Sequence, residues 1–217
     1  MGRPRNADST ATRQKILDAA IRRFGDQGFQ GASQRTIAAD VGITFATVHH
    51  YFGAKAQLYE ACVAAAFADF EGLQSELFAE VAQRQGTAPK ELVRFVVGRA
   101  FRFALRRPVS SRFLLRANVY ETEAPARARL EQARTQYLDG ASRALSPLLD
   151  RPEAALRIPL QGLMYLLTRL AVARQDELDV LANGTPDVQL QLESYVSDVA
   201  VATLLRPSLD DRDAHAQ

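Results

Sequence analysis

Residues 33–59 read SQRTIAADVGITFATVHHYFGAKAQLY, and this stretch decides the fold of the N-terminal part of the chain. Ser33 is a good helix N-cap, and Gly42 ends the short helix that follows it, because glycine readily adopts the backbone conformation of a tight turn. Thr44 is a second N-cap, so a further short helix is expected from there to about Tyr51. Two short helices that meet at a tight glycine turn are typical of a helix-turn-helix.

The side chains of this stretch divide it into an inner and an outer face. Those placed to share a core with the preceding helix are Ile37, Val41, Ile43, Val48 and Phe52. Those left facing outward on the last short helix are Phe45, Ala46, Thr47, His49 and His50. The major groove of DNA accepts one α-helix, so an outward face rich in aromatic and imidazole groups indicates that this helix contacts DNA.

Polar residues dominate the segment before this motif. The first ten residues, MGRPRNADST, contain Gly2 and Pro4 and predict a flexible basic arm over 1–10. A first helix is expected from about Ala11 to about Gly28, where glycine suits a left-handed C-terminal cap. Its apolar stripe consists of Ile16, Leu17, Ala20 and Phe24.

The rest of the chain predicts longer helices, since it lacks the sustained alternation of apolar and polar residues that strands require. Pro147 and Pro159 lie inside helical patterns, where proline kinks or ends a helix. Residues 207–217 are polar and predict a disordered tail. Proline and glycine separate the helices most clearly at 86–89, 107–108, 124–125, 150–152 and 183–186.

Charge is distributed unevenly along the 217 residues, whose net charge is +2. Residues 1–55 carry eight basic and four acidic side chains, whereas the remainder carries 19 basic and 21 acidic ones. A basic N-terminal quarter favours a polyanionic partner at that end. No apolar run reaches the roughly 18 residues that a membrane helix needs. The polar N-terminus also has no signal-peptide core, so a cytoplasmic protein is expected.

The sequence contains no motif typical of an enzyme or a metal site. A glycine-rich phosphate loop, a nucleophile elbow and an HExxH motif are all absent. His49 and His50 are adjacent, so on a helix they point about 100° apart and cannot chelate one metal ion as an i, i+4 pair does. Cys62 is the single cysteine, which excludes an intramolecular disulfide and is interpreted as a small packed residue. We expect a protein that is not an enzyme and has no cofactor.

Residues 33–58 resemble the DNA-binding domain of the TetR family of transcriptional regulators, whose pattern is close to T-x-R-x-I-A-x-x-A-G-V-S-x-G-T-L-Y-x-Y-F-x-x-K-x-x-L. The resemblance implies an all-α fold. It places a three-helix helix-turn-helix DNA-binding domain at 11–54 and a larger helical effector-binding and dimerisation domain at 55–206. The positions that match the pattern are Ser33, Arg35, Ile37, Ala38, Val41, Gly42, Ile43, Thr44, Ala46, Thr47, Val48, His49, Tyr51, Phe52, Lys55 and Leu58.

The resemblance also implies which residues contact DNA. Ser33 takes the place of the family's phosphate-contacting threonine, and Arg35 is placed to contact a phosphate or a base edge. Lys55 begins the fourth helix, where its ammonium and the positive helix end both favour a phosphate. Arg3 and Arg5 either enter the minor groove, as the arginines of an AT-hook do, or belong to a tail that only aids solubility. The other expected contacts are Gln34, Thr44, Phe45, Ala46, Thr47, His49, His50 and Tyr51.

Two outward residues of the recognition helix depart from the family pattern. His49 stands where most members have tyrosine, and an imidazole differs from a phenol in reach and in charge. Phe45 replaces a residue that is usually polar or small. It cannot hydrogen-bond a base, but it can contact a thymine methyl group. The operator of a relative therefore does not transfer to this chain.

Members of the family are homodimers whose last two long helices form a four-helix interface, here expected at Pro152–Arg174 and Pro186–Arg206. The residues proposed for this interface, which equally suit an internal core, are Leu156, Leu160, Leu163, Leu167, Leu170, Leu190, Tyr195, Val199, Ala202 and Leu205. A mostly apolar ligand pocket is expected among the middle helices. Its candidate residues are Phe101, Phe103, Arg116, Asn118, Tyr120, Tyr137, Gln161, Tyr165 and Thr168.

The function that this resemblance implies is a sequence-specific, homodimeric repressor that a small-molecule ligand releases from its double-stranded DNA operator. The alternative is a DNA-associated helical protein that has no small-molecule effector and is controlled by a protein partner. Nothing in the residues identifies the effector or the operator.

Overall fold

The computed structural model describes residues 5–84, 86–120 and 127–206, which form ten α-helices and no β-strand. The all-α fold class predicted from the sequence is confirmed. In chain order the helices are α1 (Arg5–Gly31), α2 (Gln34–Val41), α3 (Phe45–Phe52), α4 (Lys55–Ala82), α5 (Pro89–Arg106), α6 (Pro108–Val119), α7 (Arg127–Leu149), α8 (Glu153–Ala171), α9 (Gln175–Ala182) and α10 (Val188–Leu204).

The first helix begins earlier than the sequence predicts. Helix α1 starts at Arg5, whereas a flexible arm is expected over 1–10. The prediction is wrong for the second half of that arm. Both residues that disfavour a helix, Gly2 and Pro4, precede the observed start, and the residues that follow contain no further glycine or proline.

Other parts of the arm and tail predictions lie outside the described residues. This applies to residues 1–4, which include Arg3, and to the predicted tail at 207–217. At its C-terminal end, α1 has non-helical backbone at Gly28 (φ 76°, ψ 175°) and then continues for one turn to Gly31. The regular part of the helix therefore ends where the sequence predicts.

The first compact unit has an aromatic centre. The ring of Tyr59 in α4 lies edge-on to Phe24 of α1, with 5.0 Å between ring centroids, and edge-on to Phe113 of α6, at 5.5 Å. Such edge-to-face pairs stabilise a core beyond the burial of their surface. The unit therefore extends past residue 54, where the sequence places the end of the helix-turn-helix domain. It contains α1 to α3, the part of α4 up to Phe70, and the described residues from Val109 to Ala133.

Cys62 lies in this core with no exposed surface. Burial raises the pKa of its thiol, so the thiolate that oxidation and metal binding require is disfavoured. The interpretation of Cys62 as a small packed residue is confirmed.

The second compact unit is built around the mutual packing of α5, α8 and α10. Ion pairs join α5 to α10, between Arg94 and Asp198 and between Arg102 and Glu193. Arg151 donates hydrogen bonds to the carbonyl oxygens of the last turn of α10, which otherwise lack partners within the helix. The most deeply buried side chains of this unit are Phe101, Leu156, Val196, Ala200 and Leu204.

Proline does not end either of the helices in which the sequence predicts a break or a kink. Pro147 lies inside α7 and Pro159 lies inside α8, and both helices continue past them. A proline there removes one hydrogen bond to the preceding turn. Leu156, Leu160 and Leu163 flank Pro159 and are buried, so packing offsets the lost bond in α8.

The turn between α3 and α4 requires a glycine. Gly53 has φ 73° and ψ −139°, a conformation that residues with a side chain rarely adopt, and its N–H donates to the carbonyl of His49 at 2.7 Å. The next N–H, of Ala54, donates to Oε1 of Gln57 at 2.8 Å, which caps the start of α4. A Cβ atom at position 53 would lie 2.0 Å from that same oxygen.

We expect Gly53→Ala to lower the free energy of unfolding by about 1–3 kcal/mol, because it strains the backbone and displaces the Gln57 cap. Gly72→Ala is the matched control. Gly72 lies on the exposed side of α4 with no atom within 4 Å of an added Cβ, so this change should stabilise by roughly 0.5–1 kcal/mol. Urea unfolding followed by circular dichroism measures both, and a Gly53→Ala variant as stable as the wild type would contradict the geometry.

Candidate nucleic-acid interface

Helix α2 is capped at both ends as the sequence predicts. The hydroxyl of Ser33 accepts a hydrogen bond from the N–H of Thr36 at 3.1 Å. At the other end Gly42 is left-handed (φ 73°, ψ 32°), and its N–H donates to the carbonyl of Ala39 at 3.1 Å. These two caps define the eight-residue length of α2 and the tight turn that leads to α3.

Helix α3 has one buried side and one exposed side. Thr44 caps its start, with Oγ1 accepting from the N–H of Thr47 at 3.1 Å. Val48 and Phe52 are buried in the core of the first unit. Of the residues predicted to face outward, Thr47 is only half-exposed, because it is part of this cap. The exposed ones are Phe45, Ala46, His49 and His50.

Three side chains gather at the start of α3. The ring of Phe45 lies 5.9 Å from the imidazole of His49, centroid to centroid. The guanidinium carbon of Arg35, on α2, lies 5.9 Å from the centroid of the same ring. We call these residues the Phe45 cluster. It joins a cation, an apolar ring and an imidazole on one exposed surface that both helices contribute to.

Helix α2 is joined to α1 by a two-point ion pair. Nε and Nη2 of Arg23 each donate to a carboxylate oxygen of Asp40 at 2.6 Å. This hydrogen bonding holds the pKa of Asp40 below its ordinary value, and Asp40 raises the pKa of Arg23. Because the pKa of the carboxylate is lowered on folding, the pair contributes stability above the ordinary aspartate pKa of about 3.9 and loses it as the pH falls through the folded value.

Lys55 is positioned by contacts within the protein. Its ammonium donates to the carbonyl of Gln30 at 3.3 Å and lies 4.6 Å from the ring centroid of Phe29. An ammonium has three donors, so this bond leaves donors for an anion. Lys55 is the first residue of α4, and the first N–H groups of a helix have no acceptor within the helix.

The structure assigns a different role to two residues that the sequence predicts as DNA contacts. Gln34 is buried, and its Nε2 donates to the carbonyl of Gly53 at 2.8 Å. Its amide therefore links the start of α2 to the end of α3 and is not presented to a ligand. Tyr51 is half-buried, and its hydroxyl donates to Oγ of Ser9 at 3.3 Å. Arg5 is the first residue of α1.

The predicted pocket residues are divided between the two compact units. Arg116, Asn118 and Tyr120 belong to the first unit, and Tyr120 is largely exposed, which contradicts its place in a pocket lining. The remaining six belong to the second unit. They are Phe101, Phe103, Tyr137, Gln161, Tyr165 and Thr168.

Two of these six carry polar groups in an unusual environment. Desolvation raises the pKa of the Tyr137 phenol above its ordinary value. Nε2 of Gln161 is buried and has no hydrogen-bond partner among the described residues. Thr168, by contrast, donates to the carbonyl of Met164 at 2.6 Å and is satisfied within α8.

The leucine stripe predicted for a dimer interface is largely internal. Leu156, Leu160 and Leu163 are buried in the core of the second unit, so for these three the internal-core alternative holds and the interface assignment does not. Two other residues of the predicted interface, Leu190 and Tyr195 on α10, are exposed, and so is Ile158 on α8. Ile158 was not predicted, although its place on the side of α8 opposite the leucine stripe is a signal in the sequence.

Two other kinds of site are absent from the described residues. No helix there combines the length and apolar composition of a membrane span. In the same residues, no group of three or more histidine, cysteine or acidic side chains is arranged to hold a metal ion.

The N-terminal sequence matches a known family. The family model for bacterial regulatory proteins of the tetR family matches residues 16–62. The chain is 40% identical over 78 residues to the HTH-type transcriptional dual regulator CecR of Shigella flexneri, which is 36% of this chain and 34% of that protein. It is 43% identical over 51 residues to the HTH-type transcriptional regulator BetI of Rhizobium meliloti, or 24% of this chain and 25% of that one. These matches thus span about a third of the relatives' length or less.

Solved structures extend the likeness to most of the chain. A TetR-like transcriptional regulator from Rhodococcus sp. RHA1 superposes with a TM-score of 0.63 at 21% identity, over 90% of this chain and 97% of that one. AibR, in complex with isovaleryl coenzyme A and operator DNA, superposes with a TM-score of 0.63 at 18% identity, over 90% of this chain and 100% of that one. At these identities the likeness establishes the fold. The sequence match shows that residues 16–62 are similar to the N-terminal domain of tetR-family regulatory proteins, and the rest of the chain shares the fold of TetR-like regulators.

Proposed function

We propose that this protein is a sequence-specific DNA-binding transcriptional regulator, and more specifically a homodimeric repressor that a small molecule releases from its operator. The observation that carries the DNA-binding part is the exposed side of α3. Phe45, Ala46, His49 and His50 are exposed there, and the guanidinium of Arg35 lies near the ring of Phe45. A short, well-capped helix with its side chains exposed fits the major groove, which admits one α-helix.

Groups that suit the DNA backbone flank that helix. Lys55 retains ammonium donors beyond its bond to Gln30, and it lies at the positive N-terminus of α4. Ser33 caps the N-terminus of α2, where free N–H groups favour a phosphate oxygen. Contacts of this kind position a protein on the duplex, whereas contacts to base edges confer sequence preference. We assign Ser33 and Lys55 to the first role and the exposed side of α3 to the second.

We expect Lys55→Ala to weaken binding to the protein's own upstream DNA and to lower the magnitude of the slope of log K against log salt concentration by about 1, since one phosphate contact is lost. Lys90→Ala, at an exposed position on α5, is the control and should leave the slope unchanged. Fluorescence anisotropy between roughly 50 and 200 mM salt measures both variants. An unchanged slope for Lys55→Ala would contradict the assigned contact.

The homodimer is proposed from the surface of the second unit. Ile158 on α8 is 85% exposed and Tyr195 on α10 is 54% exposed, and Leu190 is also exposed on α10. Large apolar side chains on two helices that pack against each other suit burial against a second copy. Two copies would also place two recognition helices on two half-sites, as helix-turn-helix dimers require.

We expect Tyr195→Glu to convert a dimer into a monomer, because it would place a carboxylate in an apolar interface. Val180→Glu is the control. Val180 is 79% exposed on α9, outside the proposed interface, so the same charge there should leave the dimer intact. Sedimentation velocity reports the mass of both. A dimeric Tyr195→Glu variant, or a wild type that is monomeric at micromolar concentration, would contradict the proposal.

Effector binding is proposed from Gln161. A buried N–H donor without a partner costs about 1–3 kcal/mol, and an acceptor oxygen on a ligand would remove that cost. The structure of AibR, which has a similar fold, contains isovaleryl coenzyme A, and that of a FadR from Bacillus subtilis contains stearoyl-CoA. Acyl-CoA thioesters, whose carbonyl oxygen accepts hydrogen bonds, are therefore the first compounds to test.

We expect isovaleryl-CoA or stearoyl-CoA to raise the melting temperature of the wild type, since a ligand that binds the native state stabilises it. Gln161→Leu should lose this shift while remaining at least as stable without ligand, because it removes an unsatisfied buried amide. Gln191→Leu, at an exposed position on α10, should keep the shift. If Gln161→Leu keeps it, Gln161 does not contact the ligand. If a broad metabolite set produces no shift in the wild type, the alternative of control by a protein partner is favoured.

A further inference from the structure

We propose that the ring of Phe45 recognises the C5-methyl group of a thymine in the major groove of the operator. The inference deepens the proposed function and rests on it, since it names the base feature that the exposed side of α3 contacts. Phe45 is 44% exposed and is the first residue of α3, directly after the cap at Thr44. In helix-turn-helix proteins the N-terminal residues of the recognition helix are those that reach base edges.

The chemistry of the ring restricts what it can contact favourably. A phenyl group has no hydrogen-bond donor or acceptor for the polar edges of guanine, adenine or cytosine. Placed against such an edge, the ring would remove water from polar groups without replacing their hydrogen bonds. Among the major-groove edges, the apolar group is the methyl of thymine. An exposed ring at this position therefore selects for a methylated pyrimidine.

The Phe45 cluster holds the ring before DNA arrives. Arg35 lies at cation–π distance on one neighbouring helix, and His49 packs against the ring one turn along α3, with 31° between their planes. Fewer side-chain conformations are then lost on binding, which favours affinity. Arg35 and His49 act here as positioning residues for Phe45. A flexible, isolated phenylalanine would make the same contact at a higher entropic cost.

Deoxyuridine, which differs from thymidine only in lacking this methyl group, supplies the test. The DNA is a site that the purified full-length protein selects from a random pool, and each thymine in it is replaced in turn. For the wild type we expect one position per half-site where deoxyuridine weakens binding about fourfold, the ratio for one buried methyl group. At that position 5-methylcytosine should bind about fourfold more tightly than cytosine, which tests whether the methyl is recognised in either pyrimidine.

The variants assign the effect to the ring. Phe45→Ala should bind the thymine and deoxyuridine sites equally, so that the coupling between side chain and methyl disappears. His50→Ala is the control, because His50 is also exposed on α3 but lies outside the Phe45 cluster, and it should retain the fourfold difference. Arg35→Ala should reduce the difference without abolishing it.

The outcomes separate the two proposals. Salt-dependent DNA binding with no deoxyuridine effect at any thymine, or with the same effect in Phe45→Ala, overturns the methyl contact and leaves the proposed function standing. A wild-type protein that selects no site and shows no salt-dependent binding overturns both.

Discussion

Helix α3 has eight residues, and a helix of that length is not stable in water unless it packs against other elements. The burial of Val48 and Phe52 in the core of the first unit supplies that packing. Because these two side chains lie on one side of the helix, their burial also determines which residues remain on the other side. The guanidinium of Arg13, on α1, covers the ring of Phe52 at 4.9 Å and adds a further link. The direction of the exposed side of α3 therefore follows from a core contact.

Polar contacts then hold the ends of the short helices in place. Gln34 ties the start of α2 to the carbonyl of Gly53, and Arg23 ties α2 to α1 through Asp40. Lys55 joins the start of α4 to the end of α1 through Gln30. Each contact links two helices or helix ends, so the exposed side of α3 belongs to a rigid group of packed helices. Preorganisation of this kind favours precise contacts with a rigid duplex.

Local chemistry explains what the sequence predicts well. The caps at Ser33 and Thr44 and the turn at Gly42 depend on residue types within a few positions of each other, and all three form as expected. Contacts between residues that are far apart in the sequence are harder to predict. The amide of Gln34 suits DNA or an internal carbonyl equally well, and the acceptor that decides between them lies 19 residues away.

The same limit explains the errors in the second unit. The stripe of Leu156, Leu160 and Leu163 has the spacing of either a core or an interface, and only the packing of α5 and α10 against α8 shows that it is core. Ile158 lies on the opposite side of α8 and is exposed, so it marks the side of the helix that this packing leaves uncovered. The helix-turn-helix motif is therefore readable from the sequence. The surface proposed to contact a second copy becomes visible only in the folded structure.

Methylation interference shows whether the exposed side of α3 enters the major groove. Dimethyl sulfate modifies guanine N7, which faces the major groove, and adenine N3, which faces the minor groove. On a selected site, we expect methylation of guanine N7 to block binding within two half-sites about one helical turn, or a multiple of it, apart. Interference confined to adenine N3, with every guanine N7 in the protected region tolerant of methylation, would contradict it.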